Sequence, residues 1–248
     1  MHILKSCFLF VLLLVACNPD GRENTSTVDF DICIYGATSG GIAAAIQAKR
    51  MGNSVLLLEP NDRIGGLTTG GLGQTDIGNK QAIGGISREF YQQIKGHYSK
   101  PSSWKTQSPE AYRDGGQTRT KKGEDAMWTF EPSVALKVYG EMLQEHDIQV
   151  QKGKKLNREN GVEKEQGKII GVSMQDGSRY TAHVFIDATY EGDLLAAAGV
   201  SYTVGREANE TYRETYNGVQ LLEGHQFPDG VDPYKTPGDP TSGLLWGI

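Results

Sequence analysis

The sequence predicts an α/β fold: a parallel central sheet flanked by helices, with an inserted β-hairpin or meander. Three observations predict it. Residues 31–71, DICIYGATSGGIAAAIQAKRMGNSVLLLEPNDRIGGLTTGG, read as strand, tight glycine turn, helix, second strand ending in an acid, and second glycine-rich loop. Two later runs, 167–174 and 179–186, are joined by Asp176-Gly177, a strong hairpin signal. The second of these runs leads into IDATYEGDLLAAAGV, which reads as a buried strand, small residues and a short helix.

In chain order, the first residues stand outside that fold. Lys5 is followed by CFLFVLLLVA, too short for the ~20 residues of a membrane span and matched to the apolar core of a signal peptide. Leu14, Val15, Ala16 and Cys17 resemble a bacterial lipobox. That resemblance implies cleavage before Cys17 and a lipid on it, anchoring an exported protein at the periplasmic or outer-membrane face. Residues 1–17 are thus expected as signal peptide and the polar residues 18–28 as a tether. Cys7 leaves with the signal and Cys17 takes the lipid, so Cys33 remains as a small buried hydrophobe without a disulfide partner. A net charge of −5 with no lysine-arginine cluster argues against nucleic acid as a partner. The 32 glycines are roughly twice the usual ~7% and fit a chain of tight turns and close approaches.

The segment 32–35 is apolar throughout, as in a strand buried on both faces of a parallel sheet. Gly36 ends it, and Ser39, Gly40 and Gly41 open an alanine-rich helix over 42–50 that Gly52 stops. A helix N-terminus presents unpaired N–H groups and a positive dipole end, which together hold a phosphate. The second strand, 55–58, closes on Glu59, whose carboxyl group would accept hydrogen bonds from ribose hydroxyls. About twenty residues separate turn and acid, the spacing of a Rossmann-like dinucleotide unit. Thr38 stands where G-x-G-x-x-G has its second glycine. Its hydroxyl is available to a phosphate, while its side chain holds the backbone slightly further off.

Glu59 is followed by PNDRIGG, an E-x-x-x-R-x-G-G pattern that resembles flavoenzymes of the glutathione-reductase-like superfamily. The resemblance implies FAD rather than NAD(P) as cofactor. It also implies that Arg63, Gly65 and Gly66, with Leu67 and Thr68, wrap the diphosphate and approach the flavin. Val150, in a short strand near 148–150, is counted with the same cofactor contacts. Asp187, Ala188 and Thr189 resemble the flavin-contact segment written A-T-G, with Tyr190 in place of the glycine.

Between these motifs, Ser87 is expected to cap a helix over 88–95. Tyr91 and Lys95 form the Y-x-x-x-K pair of short-chain dehydrogenases, but lie too close to the glycine turn for that family, and read as a solvated helix face. Residues 99–125 are polar, a substrate lid or a disordered surface insertion. Pro132 opens an amphipathic helix over 133–145, and 193–198 forms a helix ended by Gly199. The five histidines show no ligand spacing, so no metal site is expected.

With FEPSVALK and the segments from Gly199 onward, the chain resembles bacterial FAD-dependent oxidoreductases sometimes labelled xanthan-lyase-like, often exported. The resemblance implies an FAD-binding domain over 29–200 and the start of a substrate domain over 201–248, in a chain truncated relative to longer members. It implies hydride transfer between flavin N5 and a small organic substrate, with carbohydrate-derived molecules among the candidates. Arg206, able to pair a carboxylate, and His225, able to act as acid or base, are the substrate-side candidates, though each reads more readily as structural, so the catalytic residues stay unassigned. The alternative is an exported carbohydrate-binding or lyase-like protein on a redox-silent nucleotide fold.

Overall fold

The computed structural model describes residues 29–113, 115, 118–121, 123–203 and 212–213. The signal peptide, Cys17, the tether, Arg206, His225 and most of 201–248 lie outside the described residues. The chain runs β1 (Asp29–Tyr35), α1 (Ser39–Arg50), β2 (Val55–Leu58), α2 (Gly66–Gly70), α3 (Gly85–Tyr98), α4 (Pro132–Glu145), β3 (Val150–Gln151), β4 (Val162–Glu165), β5 (Lys168–Ser173), β6 (Arg179–Asp187) and α5 (Asp193–Ala197).

One six-stranded sheet has the order β3-β2-β1-β6-β5-β4. β1 is parallel to both β2 and β6, with Tyr35 level with Leu58 on one side and Asp187 on the other. β4, β5 and β6 form the expected meander, antiparallel throughout. β4 was not legible: VEKE carries no apolar run, and its strand character comes from pairing with β5.

Both faces of the parallel strands are covered, which is why their sequences are apolar without alternation. Ile34 and Leu57 pack with Ile42, Ile46, Ile94, Val138 and Met142 under α1, α3 and α4. Cys33, Tyr35, Leu56 and Leu58 face the opposite layer, against Val172, Met174 and Leu194. Each such side chain, fully buried, contributes about 1.5–3 kcal/mol. Cys33 is the buried hydrophobe expected, and burial pushes its thiol up to about 12.

Two local expectations are corrected. α3 begins at Gly85, two residues before Ser87, with Gly84 as the capping residue and no side-chain cap. Gly85 has φ +54°, open to glycine, and Ile86 packs on the helix-side core, so the first turn is drawn forward. Tyr91 and Lys95 do not form a solvated face. The Tyr91 ring packs on Trp128 at 4.7 Å, its hydroxyl accepts from Thr75 Oγ1 at 3.1 Å, and Lys95 donates to the Glu124 carbonyl. Both side chains hold the 124–130 segment to α3. That segment in turn binds the chain after α2: Phe130 N–H donates to the Gly73 carbonyl, and Gln74 bridges Thr129. The described part of 99–125 packs against α3 through Trp104 and Tyr112 and walls a pocket.

Candidate functional site

The carboxyl ends of β2, β1 and β6 lie side by side, so Glu59, Gly36 and Ala188 meet at one sheet edge. In open α/β sheets this edge is where ligands bind. α1 starts there, with its N-terminus aimed at the same crevice. Its first-turn N–H groups at Ser39 and Gly40 have no acceptor within the helix.

Two glycines make the close approach possible. Gly36 has φ +103°, and a Cβ on it would stand 2.8 Å from the Ala188 carbonyl carbon and the Thr189 nitrogen. A Cβ on Gly41 would stand 1.9 Å from the Gly36 carbonyl oxygen. Both are therefore demanded by the packing of β1, α1 and β6 on one another. Gly40 differs: it is exposed, and a Cβ there would meet nothing nearer than Thr38 Oγ1 at 3.8 Å. Gly40 is the glycine of this turn that keeps open space over the helix end.

Thr38 is the capping residue of α1: its Oγ1 accepts from Gly41 N–H at 3.2 Å and donates to the Ala188 carbonyl at 2.7 Å. A hydroxyl has one proton to give, so the expectation that it is available to donate to a phosphate is corrected. Thr38 instead ties the helix start to the end of β6, and its cap is worth about 1 kcal/mol.

The second glycine loop docks directly on the first. Gly65 N–H donates to the Ala37 carbonyl at 2.7 Å, Ser39 Oγ donates to the Gly65 carbonyl, and Ser39 and Thr68 share a hydroxyl contact of 2.7 Å. Tyr139 of α4 stands against this cluster, its ring 2.9 Å from where a Cβ on Gly65 would lie, and burial raises its phenol above the ordinary tyrosine range. Tyr139 was not foreseen as a site residue. Its place on the apolar stripe of α4 marked it as core, and nothing local shows that its ring reaches the second glycine loop.

Glu59 is buried and already engaged: Oε2 accepts from Ala37 N–H and Oε1 from Asn61 N–H, both at 2.9 Å. Each carboxyl oxygen has a second lone pair, which leaves capacity for a ribose hydroxyl. Arg63 donates through Nε and Nη2 to the Thr69 carbonyl, closing the second loop on itself. Leu67 is exposed, and its N–H donates to the Tyr190 hydroxyl at 2.8 Å. The phenol lies over Gly66, where its oxygen would be 2.2 Å from an added Cβ.

Asp187, Ala188 and Thr189 reach the site as framework. Asp187 Oδ1 accepts from the Thr189 N–H and hydroxyl, and Oδ2 accepts from Leu195 N–H in α5. Ala188 is clamped between Tyr35 and Thr38, and Thr189 Oγ1 accepts from Gly192 N–H. Val150 lies in β3 beside Leu57, half-buried, one strand beyond Glu59.

The residues present fit a dinucleotide. An open glycine at a helix N-terminus, a buried acid at the neighbouring strand end and a second glycine loop hydrogen-bonded to the first supply donors for a diphosphate and an acceptor for a ribose. This arrangement defines a Rossmann-like dinucleotide-binding domain with a second glycine-rich loop docked on the first. The chain belongs to the family of FAD dependent oxidoreductases, whose sequence model matches residues 31–240, and FAD is the cofactor of that family. No curated protein matches the chain. Similar solved structures include a flavin-containing monooxygenase from Stenotrophomonas maltophilia (16% identity, TM-score 0.40, covering 74% of this chain and 43% of that one). Others are L-proline dehydrogenase from P. horikoshii (14%, 0.47, 73% and 59%) and thioredoxin reductase from T. acidophilum (19%, 0.35, 64% and 34%). The chain thus spans less than two thirds of the length of each.

Proposed function

We propose that this chain carries the FAD-binding part of an exported oxidoreductase acting on a small, carbohydrate-derived organic molecule. Bound FAD supplies hydride transfer at its N5. The chain's residues would bind and orient it: the Ser39 and Gly40 N–H groups would hold the diphosphate, Glu59 would accept from the ribose, and the Gly65–Thr68 loop would lie toward the flavin. The observation that carries this reading is the direct hydrogen bonding of the two glycine loops through Ala37, Ser39, Gly65 and Thr68. Denaturing the purified protein after flavin loading is expected to release FAD, identified by chromatography; release of NAD, or of nothing, would sink the reading. A sugar or sugar-acid substrate is expected to bleach the bound flavin's absorbance under anaerobic conditions.

Tyr190 sets how tightly the second loop accepts its ligand, because its hydroxyl occupies the Leu67 N–H. Tyr190→Phe is expected to free that donor and raise FAD affinity by roughly 2- to 10-fold, the equivalent of one hydrogen bond at ~0.5–1.5 kcal/mol. Equilibrium dialysis of the two proteins measures it, and a weaker complex would make the phenol a ligand contact instead.

The division at about residue 200 into cofactor and substrate domains, and the lipid anchor at Cys17, rest on the sequence pattern. No helix among the described residues is long and apolar enough to cross a membrane. Cys17→Ser is expected to move the protein from the membrane fraction to an uncleaved or soluble form. Unchanged fractionation would remove the lipobox.

A further inference from the structure

Apart from the strand-end crevice, a pocket of about 390 Å³ lies between the end of α3, the 103–113 segment and the 127–131 segment. Its size falls at the lower end of small-molecule sites, ~300–1,000 Å³. Tyr98, Trp104, Tyr112 and Phe130 line it. Trp104 stands 5.3 Å from Tyr98 and 5.4 Å from Tyr112, tilted by 56° and 57°.

The polar tips of three of these rings are held within the wall. Tyr98 donates to Glu131 Oε2 at 2.9 Å and accepts from Glu131 N–H; Trp104 Nε1 donates to the Tyr98 carbonyl at 2.7 Å; Tyr112 and Thr129 share their hydroxyls. What Tyr98, Trp104 and Tyr112 offer the cavity is therefore apolar ring surface, fixed in place before any ligand arrives. Pre-ordered aromatic surface binds with little conformational loss. Parallel rings would make a slot for a flat aromatic ligand. Rings tilted by nearly 60° instead make a concave wall, which suits a puckered saturated ring with C–H bonds on its face. Lys105, Gln107 and Arg113 stand exposed at the rim; Arg113 Nη1 is held by the Glu110 and Tyr112 carbonyls, so Lys105 is the cation for a carboxylate and Gln107 the polar group for ring hydroxyls.

The pocket is joined to the second glycine loop. Gly73, three residues beyond the Gly70 end of α2, lines it and is packed so tightly on Phe130 that a Cβ would meet the Phe130 carbonyl oxygen at 2.2 Å. We propose that this pocket binds a sugar ring bearing a carboxylate, stacked on Trp104 with its carboxylate toward Lys105. This deepens the oxidoreductase reading by giving the substrate a class and a seat. It rests on that reading for the pocket's role in turnover, while the binding itself does not.

Calorimetric titration of the full chain with D-glucuronate, D-glucose and 4-hydroxybenzoate tests it, with and without bound FAD. Glucuronate is expected to bind saturably and several-fold more tightly than glucose in both forms. Trp104→Leu is expected to weaken it by about tenfold with unchanged circular dichroism. Should that variant fail to fold, Lys105→Met, at an exposed rim position, is expected to erase the preference for glucuronate over glucose. No saturable binding of glucuronate, tighter binding of 4-hydroxybenzoate, or a Lys105→Met protein with its preference intact would overturn the assignment. Flavin bleaching is read separately, so failure of the redox reading and failure of the pocket are told apart.

Discussion

Gly41→Ala is expected to destabilise the domain by about 3 kcal/mol, the upper end of what overpacking costs, and to abolish FAD retention. The added methyl would sit 1.9 Å from the Gly36 carbonyl oxygen and 3.2 Å from the Ala188 Cβ. Neither neighbour is the far end of a flexible side chain. Gly36 is held by its N–H donating to the Leu58 carbonyl at 2.8 Å, and Ala188 by its own bonds to Tyr35 and Thr38. Relief therefore requires α1 to lift from β1 and β6, which breaks the Thr38 link and opens the core beneath Ile42 and Ile46. Gly40→Ala is the control. Its methyl enters open space at the helix end, so the melting temperature should hold while FAD binding weakens. Thermal unfolding and flavin retention measured on both variants separate the two roles. A Gly41→Ala protein as stable as the parent would show that the sheet and helix pack less closely than this.

Glu59→Ala is expected to lower stability as well as cofactor affinity. At the level of sequence, Glu59 is a ribose ligand whose removal leaves the fold intact. The structure changes that expectation, because the buried carboxyl group accepts from the Ala37 and Asn61 N–H groups. The buried Ala37 N–H left without an acceptor costs about 1–3 kcal/mol, while the Asn61 N–H, on an exposed residue, can turn to water; the loss stands against a domain stability of roughly 5–15 kcal/mol. Glu59→Gln retains one acceptor oxygen but turns an amide NH₂ toward one of the two N–H donors, and should fall between parent and Ala. Denaturant midpoints for the three proteins, measured without FAD, check the order. Equal midpoints would return Glu59 to a purely ligand-binding role.

Much of this site was legible because its signals are local. The strand-turn-helix-strand order over 31–59 is written in an apolar run, three glycines, an alanine-rich stretch and a terminal acid, each acting within a few residues of itself. The same holds for α4, announced by Pro132 and an apolar stripe, and for the hairpin at Asp176-Gly177. Partners distant in sequence were not legible. Thr38 read as a flawed glycine until its hydroxyl met the Ala188 carbonyl, 150 positions away. Tyr190 read as a substitution in a motif until it covered Leu67, 123 positions away, and the polar stretch after Ser99 gave no sign that Trp104 and Tyr112 would wall a pocket with Phe130.

The physical reason is the same in each case. Backbone preference and hydrophobic period act over a turn of helix or a pair of residues, so the sequence by itself determined the elements, their order and the acid and glycines at the strand ends. Which hydroxyl caps which carbonyl, and which glycine faces a ligand rather than a neighbouring backbone, depends on the distance between elements once the sheet has closed. Gly40 and Gly41 are adjacent and chemically identical, yet only the packed structure sets one against open space and the other against the Gly36 carbonyl.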